Sequence, residues 1–477
     1  MNYKMIKNIL GWVLLFEAFF MLAPLITAVV YHEKAFYSFL ITIGICALLG
    51  ALLVLRKPKT TTLYSKEGFV IASLSWIVLS IFGAIPFVIS GALPNIADAL
   101  FETASGFTTT GASVIADVEA LPKSILLWRS FTNWIGGMGV LVFLMAFLPL
   151  SGGNNMHIMK AESPGPSVSK LVPRVRTTAL ILYSIYFALT ILMFIILLCG
   201  GMNTFEALNT AFATGGTGGF GFRNDSFASF SPFIQITVTV FMLLFSVNFT
   251  SYYLILLLRF KEAFNSEVKT FIAIVFTAIV AITINVRGMF DSLGDTVRYV
   301  SFTVASIIST SGFSIVDFDL WPEFSKNCLI VLMLLGACAG STCGGLKISR
   351  ILILLKGFIR ELQSLVHPRQ VKKITIDSKP VEHEVIRSTN AYIVAYLFIF
   401  VVSMILISFD NHDFTTNFTA VASTINNVGP GFKLVGPTRN FAFFSAPSKI
   451  VLSFTMIAGR LELFPILLLF SPSTWRK

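Results

Sequence analysis

The residues best suited to chemistry in this chain lie in four short polar breaks. They read Phe107-Thr108-Thr109-Thr110-Gly111-Ala112, Thr214-Gly215-Gly216-Thr217-Gly218-Gly219-Phe220, Ser309-Thr310-Ser311-Gly312-Phe313 and Asn426-Asn427-Val428-Gly429-Pro430-Gly431. Each follows a half-amphipathic segment too short to cross a bilayer: 94–107, 203–214, 295–308 and 413–425. Taking Gly111, Gly218, Gly312 and Gly429 as equivalent gives spacings of 107, 94 and 117 residues. Such a repeat is too long for a solenoid but suits a ring of four units. Extended backbone rich in Gly, Thr and Ser can present oxygens to a cation in place of its hydration shell. Gly serves where φ must be positive or where strands approach without a Cβ. A short helix whose C-terminus faces the same axis adds the negative end of its dipole. One such loop could be an ordinary helix end at a membrane interface. Four at matching places in four matching units point to dehydration and coordination of a cation.

A second cluster is Gly336-Ala337-Cys338-Ala339-Gly340-Ser341-Thr342-Cys343-Gly344-Gly345-Leu346-Lys347, which interrupts an apolar run. Its Gly336, Gly340, Ser341, Thr342, Gly344, Gly345 and Lys347 read as a flexible gate beneath the cation loops. The competing reading is a small-residue packing seam. Arg460, in MIAGRLELF, lies about 14 residues into an apolar run. A charge there costs at least about 2.5–3.5 kcal/mol unless sheltered, so it must face the interior. It reads as an electrostatic brake, or else as half of an ion pair with Glu462 as candidate partner. Arg129, near the outer end of its span, is expected to snorkel. Glu17 reads as a packed or protonated carboxyl with no assigned role.

Positioning such groups requires a membrane scaffold. Of the 477 residues, 55% are hydrophobic, with 47 Phe, and only 12% are charged; a typical soluble chain has about 25% charged. With a mean hydropathy of +0.81, the apolar surplus needs lipid to cover it. Spans need about 20 apolar residues. Ten candidates occur: 8–31, 35–55, 68–92, 124–149, 178–199, 232–258, 268–286, 327–355 (interrupted), 388–408 and 447–470. The first is too long for a cleaved leader and has no convincing cleavage site, so it counts as a span. With the N-terminus cytoplasmic, 24 of the 35 Lys and Arg fall in cytoplasmic segments, as the positive-inside rule requires. The net charge of +11 thus reflects orientation with both termini cytoplasmic, and a nucleic-acid partner gets little support. Outer segments hold Asp98, Glu102, Asp117, Glu119, Glu206, Asp225, Asp291, Asp295, Asp317, Asp319, Glu323, Asp410 and Asp413. These form an acidic entrance that concentrates cations, or more plainly a solvated outer face. The five Cys have neither disulfide nor zinc spacing and read as inert. The expected architecture is an all-α membrane protein. A two-span segment (1–66) precedes four span–re-entrant pore helix–span repeats (67–150, 151–260, 261–360 and 361–477) in a pseudo-fourfold ring around a central pore.

The segments FTTTGAS, STSGFS and NNVGPGF, with NWIGGMGVLVF (133–143) and KAESPGP (160–166), resemble those of the Trk/Ktr/HKT superfamily of potassium transporters. The resemblance covers nearly the whole chain, and the two additional N-terminal spans make it similar to the TrkH type rather than the eight-span KtrB type. It implies potassium as permeant ion and a homodimer in the lipid bilayer of the cell (inner or plasma) membrane. It also implies a TrkA-like cytosolic ring that binds nucleotide as a regulatory partner, with the basic segment 356–387 available to dock it. Potassium coordination is then expected at Thr109, Thr110, Gly111, Gly216, Thr217, Gly218, Thr310, Ser311, Gly312, Asn427, Val428 and Gly429. Segment 336–347 and Arg460 would control passage to the cytoplasm. In the superfamily, Ser in place of the first-loop Gly goes with sodium permeation, so Gly111 favours potassium. Each loop has essentially one aligned Gly rather than the two of tetrameric potassium channels, which implies weaker selectivity over sodium. P-loop, HExxH and GxSxG motifs are absent, so no enzyme activity and no organic cofactor are expected. A proton- or sodium-coupled potassium symporter shares nearly every feature and stands as the alternative.

Overall fold

The computed structural model describes residues 1–55, 64–139, 175–367 and 373–475, which are mostly helical. Loop 160–166, the end of the 133–143 run, and Arg56, Lys57, Lys59, Lys160, Lys170, Arg174, Arg369, Lys372, Arg476 and Lys477 lie outside the described residues. Among the described residues, six helices are long and apolar enough to cross a bilayer: Tyr3–Val30, Phe36–Leu55, Lys66–Ile89, Arg176–Cys199, Ser266–Met289 and His383–Asp410. The bent pair Pro232–Ser246 and Phe249–Leu256 makes a seventh. Large apolar side chains cover the outside, Phe276 at 68% and Phe398 at 65% exposure, while Glu102, Asn133 and Thr342 are fully buried. Apolar patches of that extent mark a membrane-facing surface.

Several expected spans take other forms. The run 327–355 divides into Glu323–Leu335 and Ile348–Val366 around segment 336–347, as its composition indicates. The run 232–258 is not continuous, because it turns by 91° between Ser246 and Phe249. The run 447–470 stops at Arg460 and resumes at Phe464, with Glu462 and Leu463 both at positive φ. Arg460 therefore closes a helix instead of lying inside a span. A small hairpin, with Thr375 opposite Pro380 and Ile376 opposite Lys379, departs from the all-helical expectation.

Four short helices matter most for the site: Ile96–Phe107, Thr204–Gly215, Leu293–Ile308 and Phe414–Ile425. Their starts are written in the sequence. The side chains of Asn95, Asn203, Ser292 and Asp413 accept hydrogen bonds from Ala97, Glu206, Asp295 and Thr416 amides, caps worth about 1 kcal/mol each. Asp98, Glu206 and Asp295 add an acid in the first turn, where the helix dipole favours it. In the N-terminal pair, a Cβ on Gly11 or on Gly50 would come within 2.9 Å of the other's carbonyl oxygen. That contact locks helix Tyr3–Phe20 against Phe36–Leu55.

Candidate functional site

All four short helices end alike. Thr108, Gly216, Ser309 and Asn426 cap them, and the next residues, Thr109, Thr217, Thr310 and Asn427, have φ of 57°, 54°, 56° and 54°. The following amides, of Thr110, Gly218, Ser311 and Val428, reach back to the carbonyls of Ser105, Ala213, Ser306 and Ser423 at 2.8–2.9 Å. This is a Schellman closure with a non-Gly residue in the left-handed position, at about 1–2 kcal/mol each. Surrounding packing must hold such strain. Two residues beyond each left-handed residue stand Gly111, Gly219, Gly312 and Gly429, with φ of 79°, 70°, 77° and 99°.

The second loop therefore departs from the expected register. Gly219, not Gly218, is the counterpart of Gly111, Gly312 and Gly429, and Gly216 matches Thr108 as the helix cap. The available signal was a Thr or Asn two residues before the Gly, a pattern that all four loops share. Thr109, Thr110, Gly111, Thr217, Gly218, Thr310, Ser311, Gly312, Asn427, Val428 and Gly429 all occupy the matching three-residue segments.

The four loops touch one another in chain order. A Cβ on Gly111 would strike the Gly218 carbonyl, one on Gly219 the Ser311 carbonyl, and one on Gly312 the Val428 carbonyl. One on Gly429 would stand 2.8 Å from the Thr110 carbonyl oxygen, which closes the circuit. Asn427 Nδ2 ties the fourth loop to the first by donating to Thr110 Oγ1 at 2.9 Å, and it donates to the Met456 carbonyl at 3.0 Å. In the amide orientation that satisfies both neighbours, Asn133 donates to the Gly106 carbonyl at 2.8 Å and accepts from the Phe220 amide at 3.2 Å. The loops thus bring backbone carbonyls and Thr and Ser hydroxyls close together, and oxygens of these kinds can coordinate a dehydrated cation. Among the described residues no group of three or more His, Cys, Asp or Glu is arranged to hold a metal.

Behind the first two loops lies an ion pair that corrects the expectation for Arg129. Its side chain is 2% exposed and does not snorkel. Nε donates to Glu102 at 2.8 Å, Nη1 to the Gly221 carbonyl at 3.0 Å and Nη2 to Ser113 Oγ at 3.2 Å. Glu102, fully buried, also accepts from the Val114 amide at 2.9 Å. The pair joins the outer limbs of both loops. Arg129→Leu is expected to cost about 3–5 kcal/mol by leaving Glu102 uncompensated, and Arg129→Leu with Glu102→Leu to recover much of that loss. Thermal unfolding midpoints in detergent check both.

The outer acids are less free than their sequence suggested. Asp98 pairs with Lys449, Glu206 with Arg223, Asp295 with Arg298 and Glu323 with Lys326. Asp117 keeps its charge, because the Asn224 amide at 2.8 Å holds its carboxyl below the usual carboxylate range.

Segment 336–347 lies directly against the loops. Gly336, Gly340 and Gly345 take φ of 67°, 73° and 79°, and Lys347 takes 72°. The Gly344 amide donates to Thr310 Oγ1 at 2.9 Å, and a Cβ on Gly344 would come within 2.9 Å of Asn427 Cβ. The segment also enters the bend of the broken pair: Cys338 donates to the Ser246 carbonyl at 3.2 Å, and Phe249 donates to the Gly340 carbonyl at 3.1 Å. Lys347 is buried and donates to the Cys343 and Gly344 carbonyls. Arg460 donates to the Thr342 carbonyl at 2.7 Å and to the Gly136 and Gly137 carbonyls at 2.5 Å each. It therefore bridges the segment to helix Lys123–Met138. Glu462, the partner considered for it from sequence, forms an ion pair with Arg350. Glu267, which sequence reasoning passed over, accepts from the Ala339 amide at 2.8 Å and the Ser349 amide at 3.1 Å.

Comparison with known proteins adds a lineage to this geometry. Residues 35–477 match the family model TrkH, described as a cation transport protein. The chain is 36% identical over 487 residues to the Trk system potassium uptake protein TrkH of Escherichia coli K12, with both chains covered completely. It is 33% identical over 484 residues to the Trk system potassium uptake protein TrkG of the same strain, covering 100% of this chain and 99% of the relative. The crystal structure of the potassium transporter TrkH from Vibrio parahaemolyticus superimposes with a TM-score of 0.90 at 33% identity, covering 100% of both chains.

Proposed function

The chain belongs to the TrkH family of cation transport proteins, and from that premise we propose that it carries potassium into the cell through a ring of backbone oxygens. It is a membrane transporter rather than an enzyme. Full-length similarity to potassium uptake proteins supports the identity of the ion. One observation carries the mechanism: the glycine contacts that run from loop to loop and return to the first. Potassium exchanges its water for the carbonyls of Thr109, Thr110, Gly111, Thr217, Gly218, Gly219, Thr310, Ser311, Gly312, Asn427, Val428 and Gly429. The four short helices aim their C-terminal dipoles at the same region. Segment 336–347 and Arg460 form the gate, the latter as a fixed positive charge that slows exit. The membrane potential supplies about 2.3 kcal/mol per 100 mV for each charge moved inward.

The wider reading keeps the two-span segment and four repeats in a pseudo-fourfold ring, and the Schellman closures common to all four loops support it. It keeps a homodimer with cytoplasmic termini and a cytosolic nucleotide-binding ring as regulator. The Lys and Arg distribution supports that orientation. The test is potassium flux in proteoliposomes of purified protein, with and without such a partner, together with potassium-limited growth of a transport-deficient strain. A reversal potential set by the potassium gradient alone is expected. One that moves with pH or sodium would establish the coupled symporter instead, and monodisperse protein without potassium flux would overturn the reading.

A further inference from the structure

We infer that Glu267 is a positioning residue for the gate, its carboxylate latching the inner segment closed at two points. This rests on the reading of 336–347 as the gate. Glu267 is only 8% exposed and sits in the first turn of helix Ser266–Val286. It is not the helix cap, because Asn265 already accepts the Val268 amide at 3.0 Å. Its carboxylate faces the segment instead. A single oxygen, Oε1, accepts from Ala339 inside the segment at 2.8 Å and from Ser349 just beyond it at 3.1 Å.

Between those two anchors the chain contains Gly340, Gly344 and Gly345, with Gly340 and Gly345 at positive φ. Chain of that composition has many conformers of similar energy. Two charge-assisted bonds at its ends select one of them. That conformer presents the Gly344 amide to Thr310 and the Thr342 carbonyl to Arg460. Release of the carboxylate frees the Ala339 and Ser349 amides together, on either side of these glycines.

The latch also has a short mechanical route to the cytoplasmic hairpin. Ser266, its chain neighbour, donates through its amide and hydroxyl to Asp377 at 2.8 and 2.6 Å. Asp377 lies in the turn between strands Thr375–Ile376 and Lys379–Pro380. Displacement of that hairpin pulls on the residue beside the latch.

Native thiols supply the readout. Cys338 and Cys343, inside the segment, are 0% and 1% exposed. With Cys46, Cys199 and Cys328 replaced by Ala, modification by a water-soluble maleimide reports movement of the segment in the full-length protein in liposomes. Glu267→Ala is expected to accelerate labelling at least about tenfold and to raise potassium flux without changing the potassium-to-sodium ratio. Glu267→Gln keeps an acceptor oxygen but not its charge, and is expected to accelerate labelling less. Unchanged labelling in Glu267→Ala overturns the latch, as does unchanged labelling in Glu267→Gln if the Ala variant does not fold. Arg460→Ala, measured alongside, separates the two layers. If it raises flux while Glu267→Ala alters neither labelling nor flux, the gate stands and the latch falls. Faster labelling in Glu267→Ala with flux unchanged in both variants keeps the latch and removes the gate.

Discussion

Alanine at Gly219 is expected to lower the potassium-to-sodium flux ratio at least tenfold, whereas alanine at Gly218 leaves most of it. The two residues are neighbours of identical type, so composition cannot separate them, but their surroundings can. Gly219 has φ of 70°, where an L side chain costs about 1–2 kcal/mol. A Cβ there also overlaps the Ser311 carbonyl, a backbone group that cannot move alone. Relief requires the third loop to shift, which in the proposed filter turns an oxygen away from the ion path. At Gly218 the obstructing atoms belong to the Asn133 side chain, with its Cγ 2.3 Å from the added Cβ. That side chain can swing aside as a whole, at the expense of its bonds to Gly106 and Phe220, about 1–3 kcal/mol in total. Tracer flux ratios in proteoliposomes decide the matter. Greater damage at Gly218 would restore the register first expected from the sequence.

Arg460→Ala is expected to raise potassium flux tenfold or more. The substitution removes a positive charge beside segment 336–347 and three hydrogen bonds to carbonyls of Thr342, Gly136 and Gly137. Bonds to a charged donor are worth about 1.5–3 kcal/mol each, so loss of the one to Thr342 alone loosens segment 336–347 substantially. Arg460→Lys should fall between, because one ammonium cannot serve two helical carbonyls and the segment with the fixed fork of a guanidinium. Flux measured on monodisperse protein checks the order Ala above Lys above Arg. A variant that is folded but slower than the unsubstituted protein would assign Arg460 to architecture alone.

The parts of the molecule governed by local chemistry were legible in the sequence. The caps at Asn95, Asn203, Ser292 and Asp413, and the glycine-rich interruption after Leu335, follow from residue type and spacing. The bends after Ser246 and Arg460 were not, since Val247 and Leu461 continue an apolar run and hydropathy measures composition rather than backbone direction. Arg129 was misread because its partner Glu102 stands 27 residues away on a short helix that folds back toward it. Glu267 looked like an ordinary first-turn acid, and its two bonds reach residues 72 and 82 positions further along. In the second loop the sequence Gly-Gly-Thr-Gly-Gly offered several glycines, and the left-handed Thr217 shows that the one two residues beyond a Thr or Asn is the counterpart of the others.

The loop-to-loop circuit is built from one polypeptide, and this alters what a mutation can do. In an assembly of four identical subunits, every substitution near the axis arrives in quadruplicate. Here a substitution is made in a single loop and reaches the others only through the contacts between neighbours, as an added Cβ on Gly219 would reach Ser311. That freedom is already in use: the fourth loop carries Asn427 and Val428 where the first carries Thr109 and Thr110, and it contributes a cross-tie from Asn427 to Thr110 that depends on the two loops being different. The loops can therefore differ from one another residue by residue, as Asn427 and Thr109 do.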